Sequence, residues 1–271
     1  MELVLREPLD QIWAGQDVFA VVSGLEGQVI RDKEGRQTLK FELRGRTYYR
    51  KLHTGTGWRE ILKNLSQAKL PVIGAGNEWL AINRVRSLGL DTLTPVAYGK
   101  KGLNPARQKS FLVTEALCDT LSLAVHAETW PLRPPPPAQR RALIAGVARV
   151  ARSIHQAGIN HRDLYICHFL LDQSQAAGQD PLNPRLFLVD LHRAQIRKRV
   201  PRRWRVKDLA SIYFSSLDIG LTRRDVLRFL RVYFDQPLRL TLDRESRLLR
   251  RVTRRAVKLY RRDFGRSPRL P

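Results

Sequence analysis

The run His161-Arg162-Asp163, followed by Leu164-Tyr165-Ile166-Cys167-His168, and the later Leu188-Val189-Asp190 hold the residues best suited to chemistry in this sequence. One aspartate follows a helical stretch on a loop, and the other ends an apolar strand. Phosphoryl transfer from a nucleotide needs two carboxylates placed in this way. One accepts the proton of the attacking hydroxyl, and the other holds the metal ion that neutralises the triphosphate. Asp163 is then the candidate base and Asp190 the candidate metal ligand.

Such residues must be carried by regular elements. Alternating apolar and polar side chains predict strands at residues 28–31, 38–43 and 47–53, separated by turns at 32–36 and 44–46, which make an antiparallel meander. Asn77 as N-cap and Gly89 as stop bracket a helix over 78–88 with Ile82, Val85 and Leu88 towards a core. A strand pair at 96–99 and 110–114 follows. Beyond the stiff proline-rich segment 131–137, Leu143, Val147, Val150 and Ile154 recur at helical spacing over 138–157, and Gly158 ends that helix. The loop with Asp163 comes directly off it. Apolar strands at 169–171 and 186–189 flank a polar loop over 173–183, and from Asp208 onward the pattern is mostly helical.

Composition agrees with a folded, strongly basic chain. With 271 residues, 43% of them hydrophobic, the chain can bury the cores of two lobes, which excludes disorder. Its 49 Lys and Arg against 25 Asp and Glu leave a net charge of +24, a surface that seeks polyanions. The first 15 residues lack the apolar core of a signal peptide, and no stretch has the roughly 20 apolar residues of a membrane span, so the expected location is cytoplasmic. Cys118 and Cys167 lie among apolar neighbours with no metal-site spacing and are expected to be free thiols.

The run from Ser153 to Leu164, Ser-Ile-His-Gln-Ala-Gly-Ile-Asn-His-Arg-Asp-Leu, resembles the helix end and catalytic loop of the eukaryotic-type protein kinase superfamily. The resemblance implies an α+β, two-lobed protein kinase-like fold. Residues 1–115 would form an N-lobe of antiparallel sheet plus helix, and 116–271 a mainly helical C-lobe. ATP and Mg²⁺ are the implied cofactors. Lys51 matches the strand lysine on the nucleotide's α and β phosphates, with Glu78 as its carboxylate partner and Glu60 as the competitor. Lys33 and Gly35 lie in the turn that would cover the phosphates, and Glu115 and Leu117 match the segment that reads adenine. Asp208 resembles the helix-start aspartate that braces the catalytic loop. His168 replaces the usual asparagine of the second metal position, where an imidazole could still meet metal or phosphate. Leu191-His192 replaces Phe-Gly, which disfavours a swinging, switchable loop. Tyr165 replaces the lysine common two residues after the catalytic aspartate, so another cation must meet the transferred phosphate.

Only seventeen residues separate Asp190 from Asp208, without an Ala-Pro-Glu motif, and this argues against a peptide acceptor. Arg197, Lys198, Arg199, Arg202, Arg203, Arg205 and Lys207 crowd that interval. The five arginines are candidates for binding an anionic acceptor, because guanidinium pairs well with phosphate and carboxylate. In the C-terminal segment, Leu248, Leu249, Val252, Ala256, Leu259 and Tyr260 share one helix face and eight basic residues the other, a stripe that would suit an anionic membrane surface. A basic kinase with His-Arg-Asp-Leu-Tyr-Ile-Cys-His is similar to the lipopolysaccharide core heptose I kinases of Gram-negative bacteria. That similarity implies transfer of the ATP γ-phosphate to O4 of the first inner-core heptose. The acceptor would be a lipid A-Kdo-heptose glycolipid at the cytoplasmic face of the inner membrane, with the enzyme peripheral there. The basic surface could also dock an acidic protein such as an acyl carrier protein. Two other readings remain: a kinase of another small sugar or of protein, and a nucleic-acid or ribosome-binding protein on a degenerate kinase fold. No zinc-finger spacing or aromatic RNA-binding motif favours the last.

Overall fold

A computed structural model describes residues 1–33, 35–55, 57–66, 74–174 and 180–271, and it gathers the alternating stretches of the N-terminal part into one sheet. The elements are β1 (Glu2–Leu5), α1 (Leu9–Ile12), α2 (Val18–Gly24), β2 (Gln28–Lys33), β3 (Arg36–Leu43), β4 (Arg46–His53), α3 (Gly57–Ser66), α4 (Gly76–Ser87), β5 (Pro95–Lys101) and β6 (Lys109–Glu115). The six strands run antiparallel in the order β1-β5-β6-β4-β3-β2. This matches the expected meander and strand pair. β1, α1 and α2 are additions, too short for periodicity to reveal them. By backbone contacts the first compact unit comprises Met1–Arg84, Leu93–Leu117 and Leu191–Arg193, and the second Val85–Thr92, Cys118–Asp190 and Ala194–Pro271.

The short helices cover one face of the sheet. Leu9, Trp13, Val18 and Val22 pack there with Leu39, Phe41, Tyr48, Val96, Phe111 and Val113. Strand β4 alternates across that sheet. Arg50, 1% exposed, turns to the covered face. Its guanidinium donates to the Val22 and Ser23 carbonyls at 2.6 and 3.4 Å and to Gln37, so a buried cation satisfies the unpaired carbonyls ending α2. The next side chain, Lys51, takes the other face and reaches α4. On α4, Trp79 stacks on Tyr98 of β5 with ring centroids 5.2 Å apart.

In the second unit follow β7 (Thr120–Ser122), α5 (Leu123–His126), α6 (Pro137–Gln156), β8 (Ile159–Asn160), β9 (Phe169–Asp172), β10 (Leu186–Leu188), β11 (Gln195–Ile196), α7 (Arg202–Ser215), α8 (Arg223–Phe234), α9 (Leu238–Arg244) and α10 (Ser246–Phe264). Proline opens α6 at a position whose N–H would lack a partner anyway. Glycine is required at its end: Gly158 has φ +79°, and a Cβ there would collide with the Arg197 carbonyl as β11 pairs with β8. α7 starts at Arg202, earlier than the helical pattern from Asp208 suggested, so much of the basic run stands on helix rather than loop. α10 buries Leu248, Val252, Ala256 and Tyr260 and packs on α7, while its eight basic residues are exposed, as the 100° spacing predicts. Both cysteines are free but exposed, a correction to the apolar setting expected of them. No helix among the described residues is long and apolar enough to cross a membrane.

His53 sits at the end of β4 on the same side as Lys51. Burial, reinforced by Arg36, Lys51 and His192, pushes its pKa down from 6.5 to about 4. Because the folded value lies below the unfolded one, the unfolded chain binds the extra proton between those values, and stability falls as pH drops through that window. Urea midpoints measured at pH 7 and pH 5 should therefore fall less in His53→Phe than in the wild type.

Candidate active site

The loop between β8 and β9 is shaped from beneath. Asp208, in the second turn of α7 and wholly buried, accepts the backbone N–H of His161 on Oδ2 and that of Arg162 on Oδ1, each at 2.8 Å. His155 Nε2 stands 3.2 Å from Asp208 Oδ2, and His155 Nδ1 is 2.7 Å from the Tyr233 hydroxyl. A Tyr233 O–H that donates to Nδ1 leaves the Nε2 proton for Asp208. Arg205 in turn donates to Tyr233 at 3.4 Å. Burial above all raises the Tyr233 pKa, which keeps its proton available for that bond. The two N–H bonds hold Arg162 at φ +76°, a left-handed conformation uncommon for a residue with a side chain. This is the bracing role expected of Asp208.

Asp163 follows on the same loop, and one histidine ties it to Asp190. His168 donates its Nδ1–H to the Asp163 carbonyl at 2.7 Å, and its Nε2 lies 3.4 Å from Asp190 Oδ2. Burial works against its charge, but the Cys167 sulfur, the Asp163 carbonyl and the Asp190 carboxylate hold its pKa up at about 9. Behind it, His161 stacks on His168 and donates to the Val189 carbonyl at 3.0 Å, so the residue before Asp190 is pinned to the same loop. Burial lowers the pKa of His161 and suits this neutral donor role. Asp190 has φ +64°. The left-handed residue is thus the aspartate itself, and His192 lies in a 3₁₀ turn over Leu191–Arg193.

The donor set fits Mg²⁺. Among the described residues no group of three or more His, Cys, Asp or Glu converges. An oxygen-seeking ion that takes one or two protein carboxylates and fills its shell with water and phosphate needs no such cage. Asp190 would hold it, with His168 setting the carboxylate's direction.

In the first unit, Lys51 Nζ is 2.6 Å from Glu78 Oε1, and Glu78 is 2% exposed. Glu78 is therefore the partner; the Glu60 side chain lies outside the described residues. Gly35 has φ +72°, and its carbonyl accepts from Thr54 N–H at 2.9 Å, which ties the turn between β2 and β3 to the end of β4. Lys33 is the last residue of β2, opposite Arg36. Its side chain and Glu34 lie outside the described residues. Glu115 ends β6 opposite Tyr48, with its N–H on the Thr94 carbonyl, and Leu117 closes this part of the unit.

The arginines divide. Arg197 donates to Asn160 at 2.5 Å and Gln195 at 2.7 Å, binding β11 to β8. Arg205 lies over the Tyr233 and Phe234 rings. Arg199, Arg202 and Arg203 are exposed, so they are the three of the five whose heads stand open to a ligand. Two residues with no predicted role of their own also belong here. Lys207 Nζ is 3.4 Å from Asp163 Oδ1, and Trp204 lies under Arg162, Arg203 and Lys207 at 5.2 to 5.8 Å. Adjacency to Asp208 was the one sequence signal that could have singled out Lys207.

Known proteins resemble this chain over most of its length. The family model of the lipopolysaccharide kinase (Kdo/WaaP) family matches residues 21–233. The chain is 55% identical over 262 residues to the lipopolysaccharide core heptose(I) kinase WaaP of Pseudomonas aeruginosa, covering 97% of each. It is 49% identical over 258 residues to the protein of that name from Escherichia coli K12, covering 95% of this chain and 97% of that one. A solved structure, WaaP in complex with acyl carrier protein, superposes with a TM-score of 0.84 at 49% identity over 96% of this chain and all of that one.

Removing the Asp208 carboxylate would orphan two buried N–H groups and the His155 ring. Asp208→Ala should lose about 3 to 5 kcal/mol of stability, and Asp208→Asn, which keeps one oxygen acceptor, distinctly less, as read by urea unfolding.

Proposed function

Because the chain belongs to the lipopolysaccharide kinase (Kdo/WaaP) family, we propose that it transfers the γ-phosphoryl group of ATP to O4 of the first heptose of the lipopolysaccharide inner core. What carries this reading is the joining of Asp163 and Asp190 through the single side chain of His168, on a loop whose backbone Asp208 holds. Asp163 takes the proton of the heptose hydroxyl. Mg²⁺ held at Asp190 would supply positive charge to the triphosphate. Lys51, kept in place by Glu78, pairs with the α and β phosphates, and the Lys33 to Gly35 turn covers them. The backbone from Glu115 to Leu117 reads adenine.

Arg199, Arg202 and Arg203 receive the phosphates and carboxylates of the lipid A-Kdo-heptose acceptor. The exposed basic face of α10 supports attachment to the anionic cytoplasmic surface of the inner membrane. That same face, together with the likeness to WaaP in complex with acyl carrier protein, supports an acidic acyl carrier protein as a partner.

Mass spectrometry of lipid A-core from cells carrying and lacking the gene should differ by one phosphate on heptose; identical spectra would refute the assignment. Purified Asp163→Asn and Asp190→Asn should each lose more than about 100-fold in phosphate transfer to heptose while remaining folded, as circular dichroism reads.

A further inference from the structure

Tyr165 occupies the place where a lysine would meet the transferred phosphate, and a phenol cannot carry the positive charge. It packs edge-on against Phe214 and His168, each with ring centroids 6.0 Å away. The phosphoryl group still needs a cation, because negative charge spreads over its non-bridging oxygens as the bond to ADP breaks. Several cationic side chains around the loop already bind it together. His168 spans Asp163 and Asp190, and Arg162 is 6% exposed with its guanidinium over Trp204. Arg197 and Arg205 serve β8 and Tyr233.

We propose that Lys207, delivered from α7 rather than from the catalytic loop, is the cation that binds the transferred phosphoryl group. Its Nζ lies 3.4 Å from Asp163 Oδ1, and its side chain is only 18% exposed. The geometry follows from its neighbour. Asp208 is fully buried and holds the loop backbone through both oxygens, so the rotation of α7 is fixed relative to that loop. Lys207, one residue earlier, is thereby referenced to the same two bonds that position Asp163. Trp204, three residues before it, supports the ammonium from its ring face at 5.8 Å.

This inference rests on the phosphoryl-transfer reading above. In the step, the heptose hydroxyl oxygen forms a bond to the γ-phosphorus. The bond from that phosphorus to the β–γ bridging oxygen breaks, and its electron pair leaves with ADP. The hydroxyl proton passes to Asp163. Lys207 donates to a non-bridging oxygen of the moving group throughout and gives up no proton. A preplaced ammonium in a partly desolvated site is worth more as charge develops than in the ground state, so its loss falls on kcat.

The test compares wild type, Lys207→Met and Lys207→Arg on ATP and dephosphorylated lipid A-core, with Asp163→Asn as control. Lys207→Met should lose roughly 10²- to 10³-fold in kcat with the KM for ATP within about threefold, and Lys207→Arg should recover at least about tenfold of that loss. A second readout needs no turnover. ADP with aluminium fluoride and acceptor, which mimics the planar anionic phosphoryl group, should raise the Tm of wild type further than ADP alone. In Lys207→Met that extra rise should vanish while the rise with ADP alone stays. A Lys207→Met enzyme with wild-type kcat, or one that keeps the extra rise, overturns the role of Lys207. A wild type that never phosphorylates the acceptor, or an Asp163→Asn variant as active as wild type, overturns the underlying reading instead.

Discussion

A carboxylate sealed inside protein must find hydrogen bonds or lose its charge, and Asp208 finds them on the backbone of the loop that carries Asp163. The rest of the site depends on this. Two N–H bonds at 2.8 Å keep Arg162 in a left-handed turn directly before Asp163. His155 and Tyr233 complete the shell of Asp208. The loop is thus anchored to α7 and, through His161 and the Val189 carbonyl, to the strand that leads into Asp190. Two aspartates more than twenty residues apart in sequence are held in one frame, and His168 closes it.

The first unit applies a related rule on opposite faces of one strand. Arg50 and Lys51 are neighbours, yet one is buried against the end of α2 and the other pairs with Glu78 on α4. Alternation makes this possible, and the two partners make it stable. An arginine at 1% exposure is tolerated because helix-end carbonyls need donors. Lys51 is restrained by a buried glutamate, which gives it a fixed direction.

Ten exposed cations lie along α10 and in the first turn of α7, where they can act at long range on an anionic surface. Several of the other cations are internal fastenings. Arg140 pairs with Asp225 at the start of α8, Arg197 joins β11 to β8, and Arg205 caps the Tyr233 chain. In the short run between Asp190 and Asp208, adjacent residues of the same type therefore do different work. Arg199, Arg202 and Arg203 face solvent, while Lys207 faces Asp163.

Much of the fold was legible from local pattern. Alternation marked β2, β3 and β4, helical spacing marked α6 and α10, and Gly158 marked a helix end, because each signal is carried by a continuous stretch of chain. α1, α2 and β1 left no such mark: a helix or strand of four to seven residues is held by what it packs on, not by its own periodicity. The site shows the same division. By itself the sequence singled out Asp163, Asp190, His168 and Lys51 as candidates for phosphoryl transfer, since they stand in recognisable order and spacing. Tertiary structure decided which cations pair with which carboxylates. Glu78 takes Lys51, His168 spans to Asp190, and Lys207 stands out from its arginine neighbours, because direction and distance through space depend on how helices and strands pack, and spacing along the chain does not encode them.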